Sequence, residues 1–407
     1  MRIAILTFAR TNNYGATLQC YALNKYIRSL GHETIIINLP LDDGSVREKK
    51  ETPSVVKPPM IKRIIWRLRY FFYKTKGKFF YRNKQNVCEI EPYEIRYELS
   101  PTQREEELKF SAANMELFDA FREKYLSNIT KEYFEEEDFA KDYPKADVYV
   151  VGSDQVWNLA ITRWQYPLFF LSFVKGKSKK IAYAACMGGT ENVHFSKEQK
   201  KHIGTLLMGF DAISVRNQIA ANILYKNFSI NVKQVVDPTI LLDSYEELAR
   251  ESSVDATGSL WFDKFIINDL WLDAIKFVAN QQELNIRADR NLIRIPDIPF
   301  NPVVSVADWL RLVQTSEFVF TDSFHCTVFC ILFRKQFITT PSYRGGEGRM
   351  LDLLKKLGLE NRFFYNPESV QNDVKKWEAS IDYDKVYDKL NKLRAESKEF
   401  LREALML

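Results

Sequence analysis

The apolar and polar positions at the start of the chain follow the period of a strand, then that of a helix, then that of a strand again. RIAILTF predicts a strand, ATLQCYALNKYIRSLG predicts a helix that ends at Gly31, and HETIIINL predicts a second strand. The intervening ARTNNYGA is a turn that places Gly15 near the start of the helix. This order is typical of a Rossmann-like domain. The turn has no GxGxxG motif, so dinucleotide binding is not indicated.

Strands and helices alternate again after residue 110. Following a helix in AANMELFDAFREKYL, strands are predicted in ADVYVVGSDQVWN, KKIAYAACMGG, DAISVRN and VKQVVDPTILL, with another helix in SKEQKKHIGTLLMGF. Such alternation predicts a parallel sheet, whose ligands lie at the carboxyl ends of the strands. The polar residues at these predicted ends are Asp154, Gln155, Asn158 and Arg216.

A second α/β series begins near residue 243. Strands are predicted in WFDKFIIND, LNIRAD, EFVFTDS and KQFITTP, and helices in LWLDAIKFVANQQ, SVADWLRLVQTS, FHCTVFCILFR and GRMLDLLKKLG. We therefore predict an α/β protein with two Rossmann-like domains, residues 1–242 and 243–382, and a charged C-terminal helix at 383–407. This is the organisation of a glycosyltransferase-B-type protein.

Residues of about 41–110 interrupt the first domain and are interpreted as an insertion. Between residues 57 and 84 the chain carries ten Lys or Arg and no acidic residue, so the rest of the chain is net acidic although the total charge is +5. Apolar residues recur at helical spacing within this segment, which indicates a basic amphipathic helix. Such a helix either covers the domain's own core or lies on an anionic membrane surface. Nucleic-acid binding is not expected, because no reader motif accompanies the charge.

Composition narrows the class of protein. A chain of 407 residues fits two domains, and 46% hydrophobic with 27% charged residues is typical of a globular protein. Five cysteines without a CxxC pair argue against a disulfide framework or a zinc ribbon. The N-terminal apolar run is too short for a signal peptide, and no run is long enough to span a membrane. We expect a cytoplasmic protein, with a peripheral position on the inner face of the cell membrane as the alternative.

The stretch FVFTDSFHCTVF places one of only four histidines at the junction of a strand and an apolar helix. Asp322 or Ser323 is the expected N-cap, which puts His325 in the first helical turn. Free backbone N–H groups and the helix dipole make such a turn suitable for a phosphate or carboxylate. The alternative is a neutral histidine buried at a domain interface.

Three arginines are candidates for holding the same anion. Arg216 follows the strand in ISVRN, while Arg344 and Arg349 flank a glycine pair in SYRGGEGR. The guanidinium fork suits a planar carboxylate or a phosphate, although Arg344 and Arg349 equally fit a surface position. GSDQVWN offers a carboxylate, an amide and an indole, groups that sugar sites combine.

Several motifs together resemble those of the polysaccharide pyruvyl transferase family. They occur in the family's order and are NNYGATLQCYAL, VVGSDQVWN, KIAYAACMGG, ISVRN, VVDPTILL and FVFTDSFHCTVFCILF. The resemblance implies a glycosyltransferase-B-like fold and transfer of the enolpyruvyl unit of phosphoenolpyruvate to a sugar of a bacterial-type surface polysaccharide or its lipid-linked precursor. The product is a pyruvate ketal. The reaction needs no cofactor and no metal, with phosphoenolpyruvate as co-substrate.

The resemblance also implies roles for the candidate residues, with the acceptor on the N-terminal domain and the donor on the C-terminal domain. Catalysis is assigned to His325 and Asp154. The expected donor-binding residues are Arg216, Ser323, Phe324, Arg344 and Arg349, and the expected acceptor-binding residues are Asn13, Tyr14, Gln155, Trp157 and Asn158.

One position departs from the family pattern. Many members have arginine two residues before the histidine, where this chain has Ser323. Arg344 or Arg349 would then supply the missing cation. The alternatives are a nucleotide-sugar-dependent glycosyltransferase and a non-catalytic sugar-binding relative.

Overall fold

The computed structural model describes residues 1–41, 92–94, 96–290, 295, 298–342 and 347–406. The predicted basic helix at 57–84 and Arg344 lie outside these residues. The strands are β1 (Arg2–Leu6), β2 (Glu33–Asn38), β3 (Ile129–Glu132), β4 (Val148–Val151), β5 (Lys179–Ala185), β6 (Ala212–Val215), β7 (Lys233–Gln234), β8 (Ser259–Asp263), β9 (Asn285–Arg287), β10 (Phe318–Thr321) and β11 (Gln336–Thr339).

Helices alternate with these strands along most of the chain. The α-helices are α1 (Tyr14–Ser29), α2 (Pro101–Tyr125), α3 (Glu136–Lys141), α4 (Leu159–Thr162), α5 (Tyr166–Phe169), α6 (Lys197–Leu207), α7 (Gln218–Phe228), α8 (Glu246–Ala249), α9 (Asp269–Gln281), α10 (Val306–Thr315), α11 (Phe324–Leu332), α12 (Gly348–Leu357), α13 (Pro367–Asn372), α14 (Val374–Glu378) and α15 (Tyr383–Met406). Short 3-10 helices are Pro92–Glu94, Arg163–Gln165, Pro238–Ile240 and Glu360–Arg362. Within the described residues no helix is long and apolar enough to cross a membrane.

The first sheet contains seven of the described strands in the order β3-β2-β1-β4-β5-β6-β7, with every pairing parallel. Ile3 pairs with Thr34 on one side and with Val148 on the other, so β1 is an interior strand. The apolar residues of β1 and β4 are almost completely buried. Continuous apolar runs of this kind are expected where helices cover both faces of a sheet.

The second sheet contains four of the described strands in the order β11-β10-β8-β9, again all parallel. Phe318 lies between Leu260 of β8 and Gln336 of β11. Two parallel sheets in one chain confirm the predicted α/β class with two Rossmann-like units, the organisation expected of a glycosyltransferase-B-type protein. The four cysteines among the described residues are free and buried.

The C-terminal helix α15 joins the two sheets. The hydroxyl of its first residue, Tyr383, donates a hydrogen bond of 3.2 Å to the carbonyl of Cys330, which lies in α11. Two turns from its other end, the Ser397 hydroxyl accepts a hydrogen bond at 3.0 Å from the backbone of Val236, beside the first sheet. The helix therefore fixes the carboxyl edge of the first sheet against α11.

Two elements differ from the sequence prediction. The strand expected in VKQVVDPTILL is reduced to Lys233–Gln234, because Pro238 cannot donate to a ladder and Asp237 begins a 3-10 helix. Helix α2 begins at Pro101, upstream of the expected AANMELFDAFREKYL, because Ser100 and Gln103 form a capping box around that proline. The start of α2 therefore falls within the region interpreted as an insertion.

Candidate functional site

His325 lies in the first turn of α11, directly after β10. Ser323 is the N-cap, since its hydroxyl accepts a hydrogen bond at 3.3 Å from the backbone of Cys326. The expectation of a capped helix start at this point is confirmed, and Ser323 rather than Asp322 is the cap. His325 is only 7% exposed. Its imidazole is therefore a buried group at the positive end of a helix.

The imidazole packs directly on the first turn of α1. A Cβ atom built on Gly15 would lie 2.1 Å from Nδ1 of His325, so only a glycine leaves space for the ring. Asn13 caps α1 by accepting a hydrogen bond from the backbone of Ala16 at 3.0 Å. Two capped helix N-termini, one from each half of the chain, thus meet at His325. Both favour a negative charge there.

Replacing Gly15 by alanine is expected to displace His325, because the new Cβ would overlap the ring. We expect activity to fall on the order of 10- to 100-fold, since misplacing a reacting group costs this much, with a stability loss of about 1–3 kcal/mol from overpacking. Gly204→Ala is the matched control, because its Cβ would lie 3.6 Å from Phe228, an ordinary contact. Steady-state kinetics and thermal unfolding of both variants test this. Equal activity of the Gly15 variant and wild type would contradict the assigned contact.

Asp237 is the central carboxylate of the site, and the sequence interpretation did not select it. Its Oδ2 lies 3.4 Å from Nε2 of His325 and accepts a hydrogen bond at 2.8 Å from Nη1 of Arg216. The separation of 3.4 Å is a close contact but not a well-formed hydrogen bond, and it is an ion pair only when His325 is protonated. Burial by itself raises the pKa of the Asp237 carboxyl, but His325 and Arg216 outweigh it and hold that pKa well below its usual range.

Arg216 connects Asp237 to a second carboxylate. Its Nη2 donates to Asp154 at 3.3 Å, and its guanidinium lies 4.4 Å from the centre of the Phe324 ring. Burial opposes the charge of this arginine, but Cys186, Asp154 and Asp237 outweigh burial and raise its pKa above the usual value. The side chain is 2% exposed, and its Nε has no hydrogen-bond partner among the described residues. A buried donor without a partner costs free energy, so such a group in a folded protein calls for an explanation.

The single positive charge of Arg216 does not offset the two negative charges of Asp154 and Asp237. His325 adjoins the same oxygen of Asp237 that Arg216 contacts. Asp154 is 14% exposed, whereas the Asp237 side chain is completely buried. Asp237 is thus placed to support His325 from within, and Asp154 is the carboxylate that a ligand can reach.

Two further residues predicted to bind the donor lie beside the cluster. The Phe324 ring packs edge-on against the His325 ring, with centroids 5.2 Å apart. Arg349, in the first turn of α12, lines with Arg216 and Phe324 a small cavity of about 30 Å³. Its buried Nε has no hydrogen-bond partner within the described part of the chain. Two arginines were predicted to replace the cation that is missing at position 323. Arg349 lies beside the cluster, and Arg344 lies outside the described residues.

The residues predicted to bind the acceptor separate into three places. Gln155 and Asn158 bond to each other at 2.8 Å in the loop after β4, next to Gly188. Tyr14 is buried, and its hydroxyl donates to Val304 at 2.6 Å, while burial raises its pKa to about 12. Trp157 is 1% exposed, stacks on Phe170 and uses its indole N–H internally. We therefore leave Trp157 out of the proposed acceptor site.

The family model of polysaccharide pyruvyl transferase matches residues 13–341. No curated protein matches the chain. Similar solved structures include a UDP-N-acetylglucosamine 2-epimerase from Rickettsia bellii, 11% identical with a TM-score of 0.49, covering 100% of this chain and 96% of that one. A second is the UDP-GlcNAc 2-epimerase from Neisseria meningitidis bound to UDP-GlcNAc, 12% identical with a TM-score of 0.47, covering 100% of both chains.

The family match includes every element that builds the cluster, from Gly15 on α1 through Arg216 and Asp237 to His325 on α11. The resemblance predicted from the motifs is thereby confirmed. Because the match spans most of its length, this chain belongs to the polysaccharide pyruvyl transferase family.

Proposed function

We propose that the chain transfers the enolpyruvyl group of phosphoenolpyruvate to two hydroxyls of a saccharide and forms a pyruvate ketal. The acceptor is a surface polysaccharide or its lipid-linked precursor. The observation that carries the proposal is the buried Arg216–Asp237–His325 cluster at the meeting point of two helix N-termini. This arrangement provides a proton donor and a site for anions at the same place.

His325 is proposed to supply the first proton. The Asp237 carboxylate stands 3.4 Å from Nε2 of His325, where it would pair with the imidazolium that carries this proton. Transfer of that proton to the methylene carbon of phosphoenolpyruvate uses the electron pair of the C=C bond and leaves a cationic centre at C2. General acid catalysis of this kind contributes about 10²–10⁴-fold.

A sugar hydroxyl then attacks C2, and a second hydroxyl displaces phosphate. Each hydroxyl loses one proton on forming its C–O bond, and the phosphate leaves with the electron pair of the bond that breaks. Asp154 is proposed to accept the first of these protons because it is the carboxylate of the cluster that is partly exposed. The neutral His325 left by the first step is proposed to accept the second.

The anionic groups of the donor need fixed positive partners. The N-termini of α1 and α11 supply backbone N–H groups at His325. Arg349 supplies a guanidinium next to Arg216 and Phe324. Preorganised donors of this kind stabilise charge that develops in a transition state without rearranging.

The acceptor is proposed to lie on the N-terminal half. Gln155 and Asn158 lie in the loop that follows β4, within the same segment as Asp154. Amide groups suit sugar hydroxyls because each offers both a donor and an acceptor. An acceptor sugar bound there would present its two reacting hydroxyls to the partly exposed carboxylate of Asp154.

Incubation of the purified protein with phosphoenolpyruvate and a panel of galactose-, mannose- and N-acetylhexosamine-containing acceptors tests the function. We expect phosphate release that depends on an acceptor, together with a product whose mass gain matches a pyruvate ketal. Thermal stabilisation by nucleoside diphosphates with no response to phosphoenolpyruvate would support a glycosyltransferase instead. Reactions without acceptor provide the background rate.

A further inference from the structure

A second, larger cavity lies between the two halves of the chain, next to the first turn of α1. Its volume is about 330 Å³, within the range of small-molecule pockets. Tyr14 and Phe118 line it from the N-terminal half, and Lys264, Phe265 and Arg290 line it from the C-terminal half. Lys264 and Arg290 directly follow Asp263 and Asp289, beyond the carboxyl ends of β8 and β9. Ligands of parallel α/β sheets bind at such ends.

Arg290 is held rigidly at the wall of this cavity. Its guanidinium lies 5.1 Å from the centre of the Tyr14 ring and 5.0 Å from that of Phe265. One guanidinium nitrogen is ion-paired with Asp263, and the side chain is 19% exposed. Aromatic contacts and an ion pair together fix the orientation of the guanidinium before a ligand arrives, which lowers the entropic cost of binding.

The cavity adjoins His325 through the first turn of α1. Tyr14, which contacts Arg290, is followed by Gly15, on which His325 packs. Burial raises the pKa of the Cys326 thiol, and the charge of Arg290 works against that rise. Arg290 is therefore within electrostatic range of the first turn of α11, where His325 lies.

Arg216, the arginine of the cluster at His325, is already ion-paired within the protein. It is paired with two carboxylates, those of Asp154 and Asp237, and is 2% exposed. Arg290 is paired with one carboxylate, that of Asp263, and is 19% exposed, so it has more of its positive charge left for a donor that carries a carboxylate and a phosphate. The other cations of the larger cavity are less suitable. Lys264 is completely buried and bound to Asp322 and Thr340, and Arg96 is exposed to screening by solvent.

We propose that Arg290 binds an anionic group of the donor, the carboxylate or the phosphate of phosphoenolpyruvate, in the cavity between the two halves. The inference rests on the proposed function, since it concerns the same donor. Arg290 would act together with Arg349, which lines the smaller cavity, and would add a fork of N–H groups that position 323, occupied by a serine cap, does not provide. The donor would then be held between Arg290 and the two helix N-termini at His325.

Isothermal titration of the full chain with phosphoenolpyruvate, and separately with inorganic phosphate, tests the inference. Arg290→Gln is expected to weaken phosphoenolpyruvate binding on the order of 10- to 100-fold, the effect of losing a hydrogen bond to a charged group. Arg287→Gln is the matched control: Arg287 is also an arginine paired with a nearby aspartate, Asp289 at 2.7 Å, but it does not line the cavity. We expect it to bind like wild type.

The outcomes separate this inference from the proposed function. If wild type binds phosphoenolpyruvate and Arg290→Gln binds it equally well, or if Arg287→Gln weakens binding as much, the role of Arg290 is wrong while the function stands. If wild type binds no phosphoenolpyruvate, both are wrong.

Should Arg290→Gln fail to fold, Arg290→Lys retains the charge but not the fork. Binding by Arg290→Lys as tight as wild type would overturn the inference. If Arg290→Gln binds phosphoenolpyruvate more weakly but binds inorganic phosphate like wild type, Arg290 contacts the carboxylate of the donor.

Discussion

Replacing His325 by alanine is expected to lower kcat for acceptor-dependent phosphate release by about 10²–10⁴-fold. The imidazole is the proposed acid, and it lies beside the buried Asp237 carboxylate and the first turns of α1 and α11. Because Arg216, Arg290 and Arg349 remain, we expect the affinity for phosphoenolpyruvate to change far less than kcat. Steady-state rates combined with titration of the donor measure the two effects separately.

His202→Ala is the control for this prediction. His202 is exposed on α6, where its Nδ1 lies 3.0 Å from the hydroxyl of Tyr166, and we expect wild-type rates from that variant. Thermal unfolding of both variants shows whether the fold persists. A His325→Ala protein that is folded and releases phosphate at the wild-type rate would contradict the role of this histidine.

Replacing Asp237 by asparagine is expected to destabilise the fold by about 3–5 kcal/mol, because it removes the carboxylate from a buried charge cluster. The aspartate accepts hydrogen bonds through Oδ1 from Thr239 and through Oδ2 from Arg216 and Ser153. An amide has one acceptor oxygen in place of two, so at least one of these donors loses its partner. Activity is expected to fall as well, since His325 loses its ion-pair partner. Denaturant unfolding and phosphate release measure the two effects.

The dependence of this effect on pH follows from the depressed pKa of Asp237. A carboxyl whose pKa is lower in the folded than in the unfolded state stabilises the fold above its unfolded pKa of about 3.9, and this stabilisation is lost as the pH falls towards the folded pKa. The difference in unfolding free energy between wild type and Asp237→Asn should therefore shrink as the pH falls below about 4.

Asp243→Asn is the matched control, because the Asp243 side chain is 79% exposed and pairs with Lys398 at 3.1 Å. Exposed pairs of this kind contribute less than about 1 kcal/mol. Equal unfolding free energies for the Asp237 and Asp243 variants would show that the buried cluster does not stabilise the fold as described.

Local patterns in the sequence predicted a large part of this architecture. The alternation of apolar strands and amphipathic helices indicated two parallel sheets, and the cap in TDSFH placed His325 in a first helical turn. Arg216 was identified because it follows directly after an apolar strand. Each of these features depends on residues that are close together in the chain, which is why periodicity and capping rules detect them.

The contacts that complete the site are between distant residues. Asp237 reaches His325 from the other sheet, and its one local signal was an aspartate before a proline at the end of an apolar run. Gly15 was noted as a turn residue, although its absent side chain is what makes space for the His325 ring. Trp157 resembled a sugar platform in sequence but packs in the core, because the loop after β4 turns its indole inwards. Such placements depend on how the two halves pack.

The central claim is that His325, placed beside the Asp237 carboxylate, protonates the methylene carbon of phosphoenolpyruvate, and the transfer reaction run in deuterium oxide tests it most directly. The imidazolium exchanges its proton with the solvent, so we predict a pyruvate ketal whose methyl group contains solvent deuterium, detected by mass spectrometry. His325→Ala should form little of this product. A ketal formed by the wild-type protein without deuterium in its methyl group would contradict the account.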